Sequence, residues 1–243
     1  MKPFLMLGIR TDEVAAVDEL DAVRRAAGLG ETDLVWHRLD QDPLPEINLA
    51  DWSGIILGGG QYNFSDADKD VAQIRAEKDL YRLLDQVVAV DFPFLGACYG
   101  VGVVGSHQGG LVDRTFGEPV GRTEINLTQA GRTDPIFGQL PDSFDAFLGH
   151  KEALAKLPGS AVLLASSATC PIQAFRVGQN VYVTQFHPEL DSEGLCLRVE
   201  VYQDHGYFDP SEVAELQALA REREVEHPKQ ILRAFAQRYA TPA

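Results

Sequence analysis

Between Phe4 and Ala97 the chain alternates short, continuous apolar runs with longer stretches whose apolar residues recur at helical spacing. Phe4 to Ile9, Leu34 to Leu39, Gly54 to Leu57 and Phe92 to Ala97 are predicted strands. Asp12 to Ala27 is a predicted helix, with Val14, Val17, Leu20 and Val23 at helix spacing and Gly28 as its stop. Asp68 to Val88 is a second, longer helix, expected to bury Val71, Ile74, Leu80, Leu83 and Leu84. Strands that are apolar throughout, rather than at every second residue, are covered by helices on both faces. The expectation is an α/β protein: three layers around a mostly parallel central sheet.

From Gly110 onward the pattern breaks into shorter β-rich pieces, Leu111 to Arg114, Thr123 to Thr128, Phe144 to His150, Ala161 to Ser166, Ile172 to Val177 and Val181 to Phe186. Gly178-Gln179-Asn180 between the last two predicts a hairpin turn. Ser192 to Tyr202 and Ser211 to Tyr239 read as helices, interrupted by Pro210 and Pro228. No repeat or low-complexity linker divides the chain. Residues 1–192 are therefore expected to form one domain, with 193–243 a helical C-terminal extension of it.

With 243 residues, a core forms without disulfides or metals. The formal charge of −15 repels phosphate backbones and anionic lipid surfaces, which argues against nucleic acid and membrane as partners. No run of eighteen apolar residues is present, and the opening segment reads as a first strand rather than a leader. Cys98, Cys170 and Cys196 are three widely spaced thiols with no CxxC pair, a usage that fits a reducing, cytoplasmic setting.

Three short motifs carry possible chemistry. Gly96-Ala97-Cys98-Tyr99-Gly100 falls where the fourth strand meets an apolar, helix-like stretch. A nucleophile on such a turn needs small neighbours at minus two and plus two, and a helix N-terminus favours thiolate; a buried structural cysteine beside a tight turn is the alternative. In Gln185-Phe186-His187-Pro188-Glu189, Glu189 is two residues beyond a strand-end histidine and can fold back to hold its tautomer, although a lone histidine there is often structural. Ile55-Ile56-Leu57-Gly58-Gly59-Gly60 runs a buried strand into three glycines that expose backbone N–H groups, as an oxyanion site or simply as a tight βα turn.

In combination, Cys98 in its Gly-rich pentapeptide, His187 and Glu189 across Pro188, and the glycine turn at 58–60 resemble the class I glutamine amidotransferases over about residues 50 to 190. The resemblance implies a flavodoxin-like fold and a Cys98–His187–Glu189 triad that hydrolyses the γ-amide of glutamine through a thioester. It also implies an oxyanion hole from the N–H groups of Gly60 and Tyr99, and a substrate pocket around Gly59, Gly102, His150 and Gln185, with no metal and no cofactor. Standalone chains of this kind resemble the amidotransferase half of GMP synthase, which implies a synthetase partner that takes up the ammonia. The family commonly carries Gln where this chain has Gly102, and a glycine there is expected to leave space for other γ-glutamyl compounds. His150 corresponds to a family histidine near the site mouth, or packs structurally. A γ-glutamyl peptide hydrolase and a noncatalytic binding module on the same fold are the alternatives.

Other features carry less. Gly100 to Gly105 matches GxGxxG but falls inside the helix after Cys98, with no acid closing a following strand. His37, His107, His205 and His227 lack metal-ligand spacing, and Arg221 to Glu226 alternates charge as a solvated helix face does. Cys170 and Cys196 have no acid–base companion nearby in sequence.

Overall fold

The computed structural model describes residues 1–242. Its first half runs β1 (Phe4–Gly8), α1 (Glu13–Ala27), β2 (Leu34–Arg38), β3 (Gly54–Leu57), α2 (Val71–Ala89), β4 (Phe94–Ala97) and α3 (Tyr99–His107). The second half follows with β5 (Leu111–Asp113), β6 (Glu118–Leu127), α4 (Gln129–Thr133), β7 (Ser143–His150), β8 (Ala153–Lys156), β9 (Ala161–Ser166), β10 (Ala174–Val177) and β11 (Val181–Thr184). Helices α5 (Ser192–Val201), α6 (Val213–Arg221) and α7 (Lys229–Tyr239) complete the chain. Among the described residues no helix is long and apolar enough to cross a membrane.

Nine strands form one sheet in the order β2-β1-β3-β4-β11-β10-β9-β6-β7. The first five run parallel, and β11 takes the place a fifth strand has in the flavodoxin-like order 2-1-3-4-5. Beyond β11 every pairing is antiparallel, so the parallel half is extended by a hairpin region. The turn at Gly178, with φ +58°, joins β10 to β11 as the Gly-Gln-Asn signal predicts. A separate two-stranded ribbon pairs β5 with β8.

Residue alternation along the parallel strands divides the core in two. Phe4, Met6, Ile56, Leu95 and Tyr182 pack with α1 and α7 on one face. Leu5, Leu7, Ile55, Leu57, Phe94 and Val183 pack with α2 and α3 on the other. Both faces are buried, which is why the strands read as uninterrupted apolar runs.

The helix faces differ from the sequence expectation. Val14 and Val17 are exposed, and α1 turns Ala15, Ala16, Leu20, Val23 and Glu19 inward instead. Val71 and Ile74 are likewise exposed at the start of α2, where Gln73 is buried and donates to the Asn63 carbonyl at 2.8 Å. Small alanines let α1 approach the sheet closely, and the buried Glu19 is held by polar partners at the sheet's end. Strand β6 begins at Glu118, well before Thr123, and β8 is an element the apolar pattern did not signal. The helical stretch over 211–239 is interrupted before α7, which starts directly after Pro228 as the proline predicts.

Candidate active site

In an open parallel sheet, ligands bind beyond the carboxyl ends of the strands. Arg10, Gly60, Cys98 and His187 all emerge there, after β1, β3, β4 and β11, and line one cavity.

Cys98 leaves β4 with φ +48° and ψ −84°, a region that costs a non-glycine residue about 1–3 kcal/mol and is kept only where the surroundings enforce it. Its N–H donates to the Thr184 carbonyl at 2.7 Å, which extends the β4–β11 ladder to the turn. A Cβ on Gly96 would lie 3.1 Å from the Cα of Gly100, so the glycines two before and two after Cys98 are what allow chain and helix to meet. Cys98 is the residue before α3, at the N-terminal, positive end of that helix.

His187 is buried, and its Nδ1 is bonded to Glu189 Oε1 at 2.8 Å. Burial alone lowers an imidazole's pKa; the Glu189 carboxylate and the Cys98 sulfur outweigh it and hold His187 well above its ordinary value. Burial alone likewise raises a carboxyl; His187, Arg198 and Arg10 outweigh it and hold Glu189 well below the usual range. His187 Nδ1 is thus engaged by the Glu189 carboxylate, and His187 and Cys98 line the same cavity.

A layer with no motif of its own in the sequence encloses these residues. Arg10 donates through Nε to Glu19 at 2.9 Å and through Nη1 to the Tyr202 hydroxyl at 3.1 Å. Glu19 also accepts the Gly59 N–H at 3.1 Å. Arg198 Nη1 lies 3.9 Å from Glu19 and 3.8 Å from Glu189, within ion-pair reach of both carboxylates but hydrogen-bonded to neither. Glu19, His187 and Glu189 bring ligand atoms within 4.8 Å of one another, as a metal site would. The two arginines between these carboxylates make the group an ion-pair network instead. Glu19 lies on the buried face of α1 with Ala15, Ala16, Leu20 and Val23, a face that the apolar spacing of Val14 and Val17 did not mark.

The glycine turn is fitted to its neighbours. A Cβ on Gly58 would run into the Glu19 carboxylate, one on Gly59 would lie 2.5 Å from His187 Cε1, and one on Gly60 would lie 2.6 Å from Ile9 Cγ2. Among the described residues the N–H groups of Gly60 and Tyr99 have no protein acceptor, the latter because it opens α3.

Cys98 stands between two lobes of one cleft that share Gly60, Gly149 and Tyr207. The polar lobe holds Tyr99, Gly102, His150, Glu152 and Gln185. The other lobe holds His187, with walls from Val120, Leu148, Leu195, Val199, Tyr202 and Phe208. Gln185 places Nε2 at 4.0 Å from the Cys98 sulfur, and its buried Oε1 has no hydrogen-bond partner. Both ring nitrogens of His150 are taken, Nε2 by Glu118 at 2.8 Å and Nδ1 by the Glu152 carbonyl at 2.9 Å, so it presents no free polar atom to the polar lobe.

The space expected beside Gly102 is absent. A Cβ there would lie 2.6 Å from Phe64 Cβ and 3.2 Å from Glu152 Oε1. Glu152 holds the Phe64 segment in place by accepting the Phe64 and Ser65 N–H groups. The glycine accommodates that loop rather than a larger substrate. Gly102→Gln is expected to cost about 1–3 kcal/mol by overpacking, because Phe64 Cβ is too near its backbone to swing away. A thermal melt equal to that of the unsubstituted chain would contradict this.

The C-terminal extension roofs the cleft. Tyr207 donates to the Gln61 carbonyl at 3.2 Å, and Lys151 both donates to the His205 carbonyl at 3.1 Å and sits 4.3 Å over the Tyr207 ring. Burial and the nearby Cys98 sulfur raise the Tyr207 phenol.

Comparison with known proteins bears on this geometry. The family model for glutamine amidotransferase class-I matches residues 21–195. A subunit of the glutamine-hydrolyzing GMP synthase of Picrophilus torridus is 29% identical over 145 residues, covering 59% of this chain and 71% of that protein. The glutamine-hydrolyzing GMP synthase of Petrotoga mobilis is 28% identical over 148 residues, and the match spans only 26% of its length. The crystal structure of a glutamine amidotransferase from Thermotoga maritima superposes with a TM-score of 0.79 at 20% identity, over 98% of both chains, a likeness of fold.

Proposed function

Because this chain belongs to the class I glutamine amidotransferase family, we propose that it hydrolyses the γ-carboxamide of glutamine through a Cys98 thioester and passes the ammonia to a synthetase partner. One observation carries the reading: a cysteine held at positive φ on a helix N-terminus beside a histidine whose Nδ1 is fixed by a buried carboxylate. The names of the GMP synthase relatives support glutamine as the amide donor and a synthetase as the partner.

The steps follow from the groups present. The Cys98 thiolate attacks the γ-carbonyl carbon, and the oxyanion that forms accepts from the Gly60 and Tyr99 N–H groups. Collapse breaks the C–N bond as His187 gives its proton to the leaving nitrogen. His187 then takes a proton from water, whose oxygen attacks the thioester; the C–S bond breaks, and glutamate leaves with the thiolate restored. Glu189 keeps the imidazole oriented and balances its charge throughout. The unpartnered Gln185 Oε1 gains a donor from the bound substrate in the polar lobe.

The reading is tested by incubating the purified chain with L-glutamine, alone and with a candidate synthetase and its acceptor. Glutamate and ammonia released in equal amounts is the expected result. Binding of glutamine without any release under either condition would favour a noncatalytic module.

A further inference from the structure

Three consecutive glycines have no side chains to hold them, so whatever aims the Gly60 N–H at a developing oxyanion comes from outside the turn. The Gly58 N–H donates to the Leu7 carbonyl at 3.0 Å, and the Gly59 N–H donates to Glu19 Oε1 at 3.1 Å. Of the three glycines, Gly60 lines both lobes beside Cys98. Two successive N–H groups are thus pinned to β1 and α1, and the third is left for the cleft. Glu19 is itself fixed: it is 1% exposed, and the same Oε1 accepts from Arg10 Nε at 2.9 Å. Arg198 Nη1, at 3.9 Å, makes no hydrogen bond to it, so Arg10 is the side chain that orients the carboxylate. Among the described residues Glu19 Oε2 receives no hydrogen bond; it packs against Gly58, where a Cβ would collide with it.

From this arrangement we infer that Glu19 is a positioning residue for the reaction: by taking the Gly59 N–H, its Oε1 turns the Gly60 N–H toward the oxyanion of both tetrahedral intermediates. The inference rests on the Cys98 thioester reaction proposed above and adds the device that sets its oxyanion hole. Glu19 touches no substrate; it acts through the turn. Arg10, Glu19 and Tyr202, whose hydroxyl accepts from Arg10 Nη1, all lie outside residues 21–195, the segment that the family model matches. An oxyanion exists only after Cys98 attacks, so the contribution falls on kcat and not on substrate binding. The charge of the carboxylate and its bond to the turn are separable. Glu19→Gln keeps an oxygen at the Oε1 position for both donors and loses the charge. Glu19→Asp keeps the charge, which the long Arg10 side chain can follow, but draws the oxygens back by about one C–C bond, or 1.5 Å, from a backbone N–H that cannot follow.

Glutamate release from L-glutamine is measured for the unsubstituted chain, Cys98→Ala, Glu19→Asp and Glu19→Gln, each alone and with a candidate synthetase and its acceptor. Glu19→Asp is expected to lower kcat at least about tenfold, a part of the 10²–10³-fold that loss of an oxyanion donor costs, with KM within about twofold of the unsubstituted chain. Glu19→Gln should keep kcat within about threefold. Its melting temperature should nevertheless lie below that of Glu19→Asp, because a buried charge beside Arg10 and Arg198 is gone. Activity and stability then rank the two variants in opposite order, which a merely structural Glu19 would not do. Cys98-dependent release that Glu19→Asp leaves intact, or that Glu19→Gln lowers at least as far as Glu19→Asp does, overturns the inference and leaves the thioester reading standing. No release from the unsubstituted chain under either condition, or release that Cys98→Ala retains in full, overturns both.

Discussion

Cys98→Ala is expected to lower glutamate release by at least about 1,000-fold, since removing a nucleophile that acts as a unit with its base eliminates the covalent route. The fold should hold. Alanine at 98 keeps the N–H bond to Thr184 and the close pairing of Gly96 with Gly100, and it leaves the strained backbone neither better nor worse placed. The melting temperature should therefore stay within a few degrees, and mass spectrometry of the wild type under turnover should show a glutamyl adduct that the variant lacks. Hydrolysis by the variant at the wild-type rate would remove Cys98 from the mechanism.

The motifs around Cys98, His187 and Glu189 were legible because each is local: a strand end, a sharp turn and small neighbours are all adjacent in sequence. Their packing was not. Arg10, Glu19 and Arg198 come from β1's end, α1 and α5, and only the sheet order places them around Glu189. The spacing of Val14 and Val17 suggested the wrong face of α1, because periodicity counts large apolar residues, and this helix packs through alanines with one buried carboxylate. Gly102 misled for a related reason. A glycine signals that something approaches closely, and the sequence leaves unsaid whether that is a substrate or, as here, Phe64 and Glu152 from distant segments. The role of the C-terminal extension was illegible altogether, since Tyr207 and Phe208 reach the cleft from a turn after α5 with no motif of its own.

The second large effect is expected for Glu189→Gln. The amide keeps the shape of the side chain but loses the charge that stabilises the imidazolium and fixes which nitrogen carries the proton. By analogy with the carboxylate-to-amide change in serine-protease triads, kcat should fall about 10⁴-fold. Stability should fall as well, because Arg198, Arg10 and His187 lose a buried counter-charge, and breaking such a pair from one side costs about 3–5 kcal/mol. The pH dependence separates this from simple misfit. Glu189 is held below its ordinary pKa, so its contribution is present above about pH 4.3 and is lost as pH falls through the depressed value. His187 is held above its ordinary pKa, so its contribution is complete below about pH 6.5 and is lost as pH rises through the elevated value. The difference in unfolding free energy between wild type and Glu189→Gln should accordingly be greatest between about pH 4.3 and 6.5 and shrink on both sides. Denaturant titrations across that range check it. A difference that stays constant from acid to alkaline pH would mean that packing, rather than the charge shared among Glu189, His187 and the two arginines, holds this end of the sheet together.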